Sequence, residues 1–110
     1  MEGNGAQERI AGLQAIGGNL WEKNGRRRVY MNDLVGLYGL EVSRYNTGNI
    51  SSALLNGERI SNSRATKIVG HLAYAKLYWD VNAGAWGSRD LDPDYQADLV
   101  AEIEKRLAGS

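Results

Sequence analysis

The dipeptide Asn24-Gly25 constrains this chain more than any other feature, because it sets a strand pairing residue by residue. A two-residue type I′ turn needs positive φ at both central positions, and Asn-Gly is the strongest short signal for it. The segments Asn19–Lys23 and Arg26–Met31 are therefore predicted to form an antiparallel hairpin. With the turn at Asn24-Gly25, Lys23 faces Arg26, Glu22 faces Arg27, Trp21 faces Arg28 and Leu20 faces Val29. The Glu22–Arg27 pair is favourable across strands, and Arg28 is placed to lie over the Trp21 ring.

Similar punctuation recurs along the chain. Lys76–Val81, a three-residue turn at Asn82-Ala83-Gly84 and Ala85–Ser88 read as another hairpin, with the Trp79 and Trp86 rings close across it. The segment Ile50–Ser61 allows two structures. Residues 49–55 have helical spacing, with Ile50, Ala53 and Leu54 inward and Asn56-Gly57 as a stop. Alternatively, Asn56-Gly57 is a hairpin turn between Ser52–Leu55 and Glu58–Ser61. The helix is the preferred reading. Residues Leu40–Asn49, rich in Ser, Asn, Thr and Gly towards their end, read as a loop or a broken helical turn.

Three further helices carry end signals. Asn32 or Asp33 caps a short one through Tyr38, closed by Gly39. Ser61-Asn62-Ser63 caps another through about Ala75, with Ala65, Ile68, Val69 and Leu72 as its apolar stripe. Asp92 caps the last, with Pro93 at its first position, Leu99, Val100, Ile103 and Leu107 inward, and Gly109 beyond. Residues 1–18 are expected as a flexible arm or a short N-terminal helix over Ala6–Ile16, ended by Gly17-Gly18. Residues 19–110 are expected as a single α+β domain, with short antiparallel hairpins packed against three to four helices. A chain of 110 residues suits one core.

The sequence offers little for catalysis. It has no cysteine and one histidine, His71, so thiolate chemistry and His/Cys metal clusters are excluded. Asp90, Asp92 and Asp94 alternate, but Pro93 and Tyr95 stand where a calcium loop needs other spacing. Neither a phosphate-binding loop nor a dinucleotide glycine pattern occurs. A non-enzymatic protein without a cofactor is expected. The apolar runs are far too short for a membrane span, and the first residues lack the pattern of a signal peptide, so a cytoplasmic location without membrane contact is expected.

Charge is the positive clue. The formal net charge is zero, yet Lys23–Lys76 holds nine Lys and Arg against three acids, and Asp80–Glu104 holds seven acids against Arg89. A neutral chain can carry a strongly polar field in this way. The chain also has six Tyr and three Trp but no Phe, and rings with a polar edge suit half-wet surfaces.

The middle of the chain, about residues 33–72, resembles helix-turn-helix DNA-binding proteins. Asp33-Leu-Val-Gly-Leu-Tyr-Gly-Leu is similar to a first helix and its glycine turn, Ile50-Ser-Ser-Ala-Leu-Leu-Asn-Gly to the end of a recognition helix, and Ile60-Ser-Asn-Ser-Arg-Ala-Thr-Lys-Ile-Val to the helix that follows. The resemblance implies a small DNA-binding regulator in which Asn49, Ser51 and Ser52 face bases, while Arg44, Arg59, Arg64 and Lys67 meet phosphates. The Arg26–Arg27–Arg28 hairpin, or the Trp79–Trp86 hairpin, is then expected as a wing along the backbone. The alternative is a protein-interaction module, a small regulator or inhibitor acting through its acidic stretch and through Tyr45, Tyr78, Trp79 and Trp86. Both readings are compatible with a homodimer.

Overall fold

Asn24-Gly25 adopts φ of 53° and 80°, the two positive values that a type I′ turn requires. All four expected pairings across it are present, from Lys23–Arg26 to Leu20–Val29. The computed structural model describes residues 2–109. Its elements are α1 (Glu2–Ala15), β1 (Gly18–Lys23), β2 (Arg26–Met31), α2 (Leu34–Leu37), β3 (Leu40–Arg44), β4 (Ile50–Leu55), β5 (Glu58–Ile60), α3 (Asn62–Ala73), β6 (Lys76–Asp80), β7 (Ala85–Arg89) and α4 (Pro93–Ala108). The strands form two antiparallel sheets, ordered β1-β2-β6-β7 and β3-β4-β5. The α+β class read from the sequence is the one the chain adopts.

Alternation along the first sheet sorts its residues onto two faces. Val29 and Met31 on β2 and Leu77 on β6 are buried on the inner face. Helices α1 and α4 cover that face, and Leu13, Leu99 and Ile103 are fully buried with Val29 and Leu77. Burying a side chain of this size contributes about 1.5–3 kcal/mol, so this layer is the main source of cohesion. The second sheet turns Leu40 and Ala53 into the same core, and α3 packs Ala65, Ile68 and Leu72 against it.

Side chains close the helix starts as expected. Gly36 N–H donates to Asp33 Oδ1 at 3.1 Å, Arg64 N–H to Ser61 Oγ at 3.1 Å, and Asp94 N–H to Asp92 Oδ1 at 3.0 Å. His71 is structural here. Its Nε2 accepts from Asp92 N–H at 3.1 Å, and its ring stacks on Tyr95 at 4.6 Å.

Four expectations need correction or completion. Residues 50–60 are a hairpin, not a helix. Asn56 and Gly57 have φ of 52° and 85°, the same turn as Asn24-Gly25. The local helical spacing loses because β4 gains partners on both sides, β3 and β5. Leu40–Arg44 is a strand, not a loop, with Leu40 and Val42 alternating against Glu41 and Ser43. The turn between β6 and β7 holds four residues, 81–84, because Asp80 organises it: its carbonyl accepts from Gly84 N–H at 2.8 Å and its Oδ1 from Ala83 N–H at 3.0 Å. At the N-terminus, the helix alternative holds. It begins at Glu2, earlier than Ala6, and is anchored by buried Ile10 and Leu13.

Candidate functional site

Pairing of β2 with β6 joins the first and last hairpins into one sheet, and the outer face of that sheet collects an unusual set of side chains. The register places them in four rows. Lys23 lies opposite Arg26, Trp21–Arg28–Asp80 form the next row, Asn19–Tyr30–Tyr78–Gly87 the third, and Lys76 opposite Arg89 the fourth. Three rings and five cations thus share a face with one carboxylate, Asp80. Lys23, Arg26, Lys76 and Arg89 are exposed, Trp21 keeps 37% of its surface, and Arg28, Tyr30 and Tyr78 are half-buried against one another.

Arg28 organises the centre. Its guanidinium carbon lies 4.4 Å from the Tyr78 ring centroid and 5.7 Å from that of Trp21, and its Nη1 donates to Tyr30 Oη at 3.2 Å. The rings also touch. Tyr30 and Tyr78 centroids are 5.4 Å apart, and Trp21 meets Tyr30 edge-on at 6.3 Å. Gly87 makes room for this: a Cβ there would lie 2.7 Å from the Tyr78 ring, so the tyrosine occupies the space over the glycine. The hydrogen bond to Tyr30 holds the Arg28 pKa above the ordinary guanidinium value; partial burial opposes this, and Tyr78 and Asp80 add to it. Arg28 is therefore a fixed positive charge. Among the described residues, no carboxylate lies within ion-pair distance of it, and its Nε is buried without a hydrogen-bond partner.

The two ends of this face are electrostatically unfavourable as built. Like charges directly opposite across strands destabilise a sheet. Here Lys23 faces Arg26 and Lys76 faces Arg89. Arg89 Nε meets Asp90 Oδ2 at 3.7 Å, but both side chains are about 70% exposed, and such pairs are worth little. Shallow depressions of about 250 and 330 Å³ run along the face between Trp21, Tyr30, Tyr78, Lys76 and Arg89. A larger cleft of about 400 Å³ lies between α2, the β4–β5 turn and α4, but Asp98, Glu102 and Lys105 line it with mixed charge. Beside it the Tyr38 hydroxyl is pushed above its ordinary pKa, by burial first and then by Asp98.

The chain matches no protein-family model, no curated protein and no solved structure.

The residues expected to bind nucleic acid are not all brought together. Arg26 and Arg28 lie on the outer face just described. Arg27 points to the inner side, and its backbone N–H donates to Asn82 Oδ1 at 2.9 Å. The Arg44 guanidinium is tied to the Gly48 carbonyl at 2.8 Å, beside Asn49 in the β3–β4 turn. Ser51 and Ser52 are half-buried on strand β4, so no recognition helix presents them to bases. Arg59 lies on β5, on the outer side of the second sheet with Glu41 and Leu54, while Arg64 and Lys67 are exposed on α3.

The surface expected for a protein partner is also redistributed. Trp79 and Trp86 face inward, with centroids 5.5 Å apart. The Arg9 guanidinium covers Trp79 at 3.9 Å and pairs with Glu104, whose Oε1 also accepts from Trp86 Nε1 at 3.0 Å. Tyr30, Lys23, Lys76 and Arg89 are the residues of the outer face that sequence reasoning missed, while Trp21 was placed beside Arg28 without being assigned to a site. The signal was the period of two within each hairpin, which puts Trp21 with Lys23, Arg28 with Tyr30, and Lys76 with Tyr78.

Proposed function

We propose that this protein binds nucleic acid through the outer face of its four-stranded sheet, without catalysing a reaction. One observation carries the proposal: like-charge pairs at both ends of an open aromatic face, where a polyanion would relieve the repulsion and the rings would meet bases. Cations that neutralise phosphates supply affinity, and rings supply contact with the bases. This binding mode differs from the helix-turn-helix mode, because β4 stands where the recognition helix was expected.

The test compares two sets of charge reversals. One replaces Lys76 and Arg89 of the outer face with Glu; the other replaces Arg64 and Lys67 of α3 with Glu. Binding to a mixture of labelled duplex and single-stranded oligonucleotides is followed by anisotropy at about 50 and about 200 mM salt. The unaltered protein binds with a marked salt dependence, the outer-face variant loses binding, and the α3 variant keeps most of it. Equal loss in both variants, or no binding at the lower salt, rejects the proposal.

A further inference from the structure

The geometry points to an unpaired nucleic-acid strand as the ligand of this face, lying lengthwise along β1, β2 and β6 with bases against Trp21 and Tyr30 and phosphates at the two cationic ends. This rests on the nucleic-acid reading above and names the form of the polymer.

Stacking needs the flat face of a base, which a duplex hides within its own stack and an unpaired strand leaves open. Trp21 is the exposed member of the cluster, and Tyr30 and Tyr78 sit beside it in the next row. A duplex instead offers grooves, which are read by a projecting helix or ribbon with side chains free to extend. The central cation here is not free to extend. Arg28 is held by Tyr30 Oη and lies against the Tyr78 and Trp21 rings, so its charge stays at the level of the sheet.

Charge placement argues the same way. Asp80 shares the row of Arg28 and Trp21 and offsets the arginine charge, so the middle of the face is close to neutral while the Lys23–Arg26 and Lys76–Arg89 ends are cationic. That distribution directs the backbone to the ends and the bases to the centre. The end rows are three row steps apart, each of two residues, or about 20 Å of strand. This length suits about four nucleotides, the lower end of the range for single-strand binders built on sheets.

The test uses the full chain and labelled oligothymidylate and oligouridylate of about two to about ten nucleotides, with a duplex of the longest as the third arm. Affinity is expected to rise to about four nucleotides and then level off, with a salt slope near that of four phosphates on a single strand. Trp21→Leu is expected to weaken single-strand binding about tenfold, and Trp21→Phe to restore most of it, because Phe keeps a stacking face. The circular dichroism spectrum of each variant, matched to that of the unaltered protein, shows that the fold is kept. Binding of either oligomer with this length and ring dependence supports the inference. Duplex binding at least as tight as single-strand binding, or a Trp21→Leu variant that binds undiminished, overturns it while leaving the broader proposal standing. Absence of binding in all three arms overturns both.

Discussion

The two faces of the β1-β2-β6-β7 sheet each hold an arginine among aromatic rings, yet they are finished differently. On the inner face Arg9 lies over Trp79 and is answered by Glu104, which also takes the Trp86 indole hydrogen bond. On the outer face Arg28 lies over Tyr78 and near Trp21 and donates to a tyrosine hydroxyl, with Asp80 in its row but, among the described residues, no carboxylate within ion-pair distance. The inner cluster lies beneath α1 and α4; the outer one is open and flanked by further cations. Arginine lies against aromatic rings on both faces, and the difference is that a carboxylate completes the inner cluster and none lies within ion-pair distance in the outer one. If the outer face binds nucleic acid as proposed, the two clusters separate residues that hold the fold from residues that meet the ligand.

That distinction can be broken first by stability. Leu77 is fully buried on the inner face beside outer-face Tyr78. Leu77→Ala is expected to cost about 2–5 kcal/mol in urea unfolding. Glu104→Ala removes the carboxylate from Arg9 and leaves that guanidinium among rings without its partner. Its expected cost is about 1–2 kcal/mol, less than for a fully buried pair, because the Glu104 side chain keeps 42% exposure. A Glu104→Ala protein as stable as the original would mean that the inner cluster is no more structural than the outer one.

Much of this division was legible in the sequence, and the failures have a common cause. The Asn24-Gly25 register, the Trp79–Trp86 pair and the Asp33, Ser61 and Asp92 caps were all readable, because each depends on residues a few positions apart. The β4–β5 hairpin was legible only as the alternative to a helix, although Asn56-Gly57 repeats the first turn, and β3 reads as a loop, although Leu40 and Val42 alternate. Six residues at β4 satisfy helical and strand spacing equally, and only the long-range pairing with β3 decides between them. The candidate site failed in the same way. Trp21 with Arg28 was legible as one pair, but Tyr78, Lys76 and Arg89 join it only through the β2–β6 pairing, about 50 residues apart. Counting charge along the chain grouped Arg26 with Lys67, which the fold separates, and missed Arg89.

The inner cluster also predicts a pH dependence. Burial pushes the Glu104 carboxyl up, but the hydrogen bonds from Arg9 and Trp86 and the charge of Arg9 outweigh it and hold the pKa below the ordinary carboxylate value. A depressed carboxylate contributes stability that is complete above the ordinary glutamate pKa of about 4.3 and is lost as pH falls through the lower folded value. Solvent screening at a side chain with 42% exposure keeps this contribution below about 1 kcal/mol. Unfolding measured from about pH 5 down to about pH 3 should show a shallower acid-side decline in Glu104→Gln than in the original protein. Parallel profiles would remove Glu104 from the account of the inner face.

The smallest expected effect is the most discriminating. Trp21 keeps 37% of its surface and meets Tyr30 only edge-on at 6.3 Å. Trp21→Leu retains an apolar side chain at an exposed strand position, so its unfolding free energy should lie within about 0.5 kcal/mol of the original. The same urea titration applied to Glu104→Ala should show the larger shift. If Trp21→Leu instead destabilises the protein as much as Glu104→Ala does, the outer rings are part of the framework, and their openness is incidental. If it is silent in unfolding yet weakens oligonucleotide binding, the same side chain that contributes least to the fold contributes most at the surface, as expected where a ring is kept exposed for a ligand.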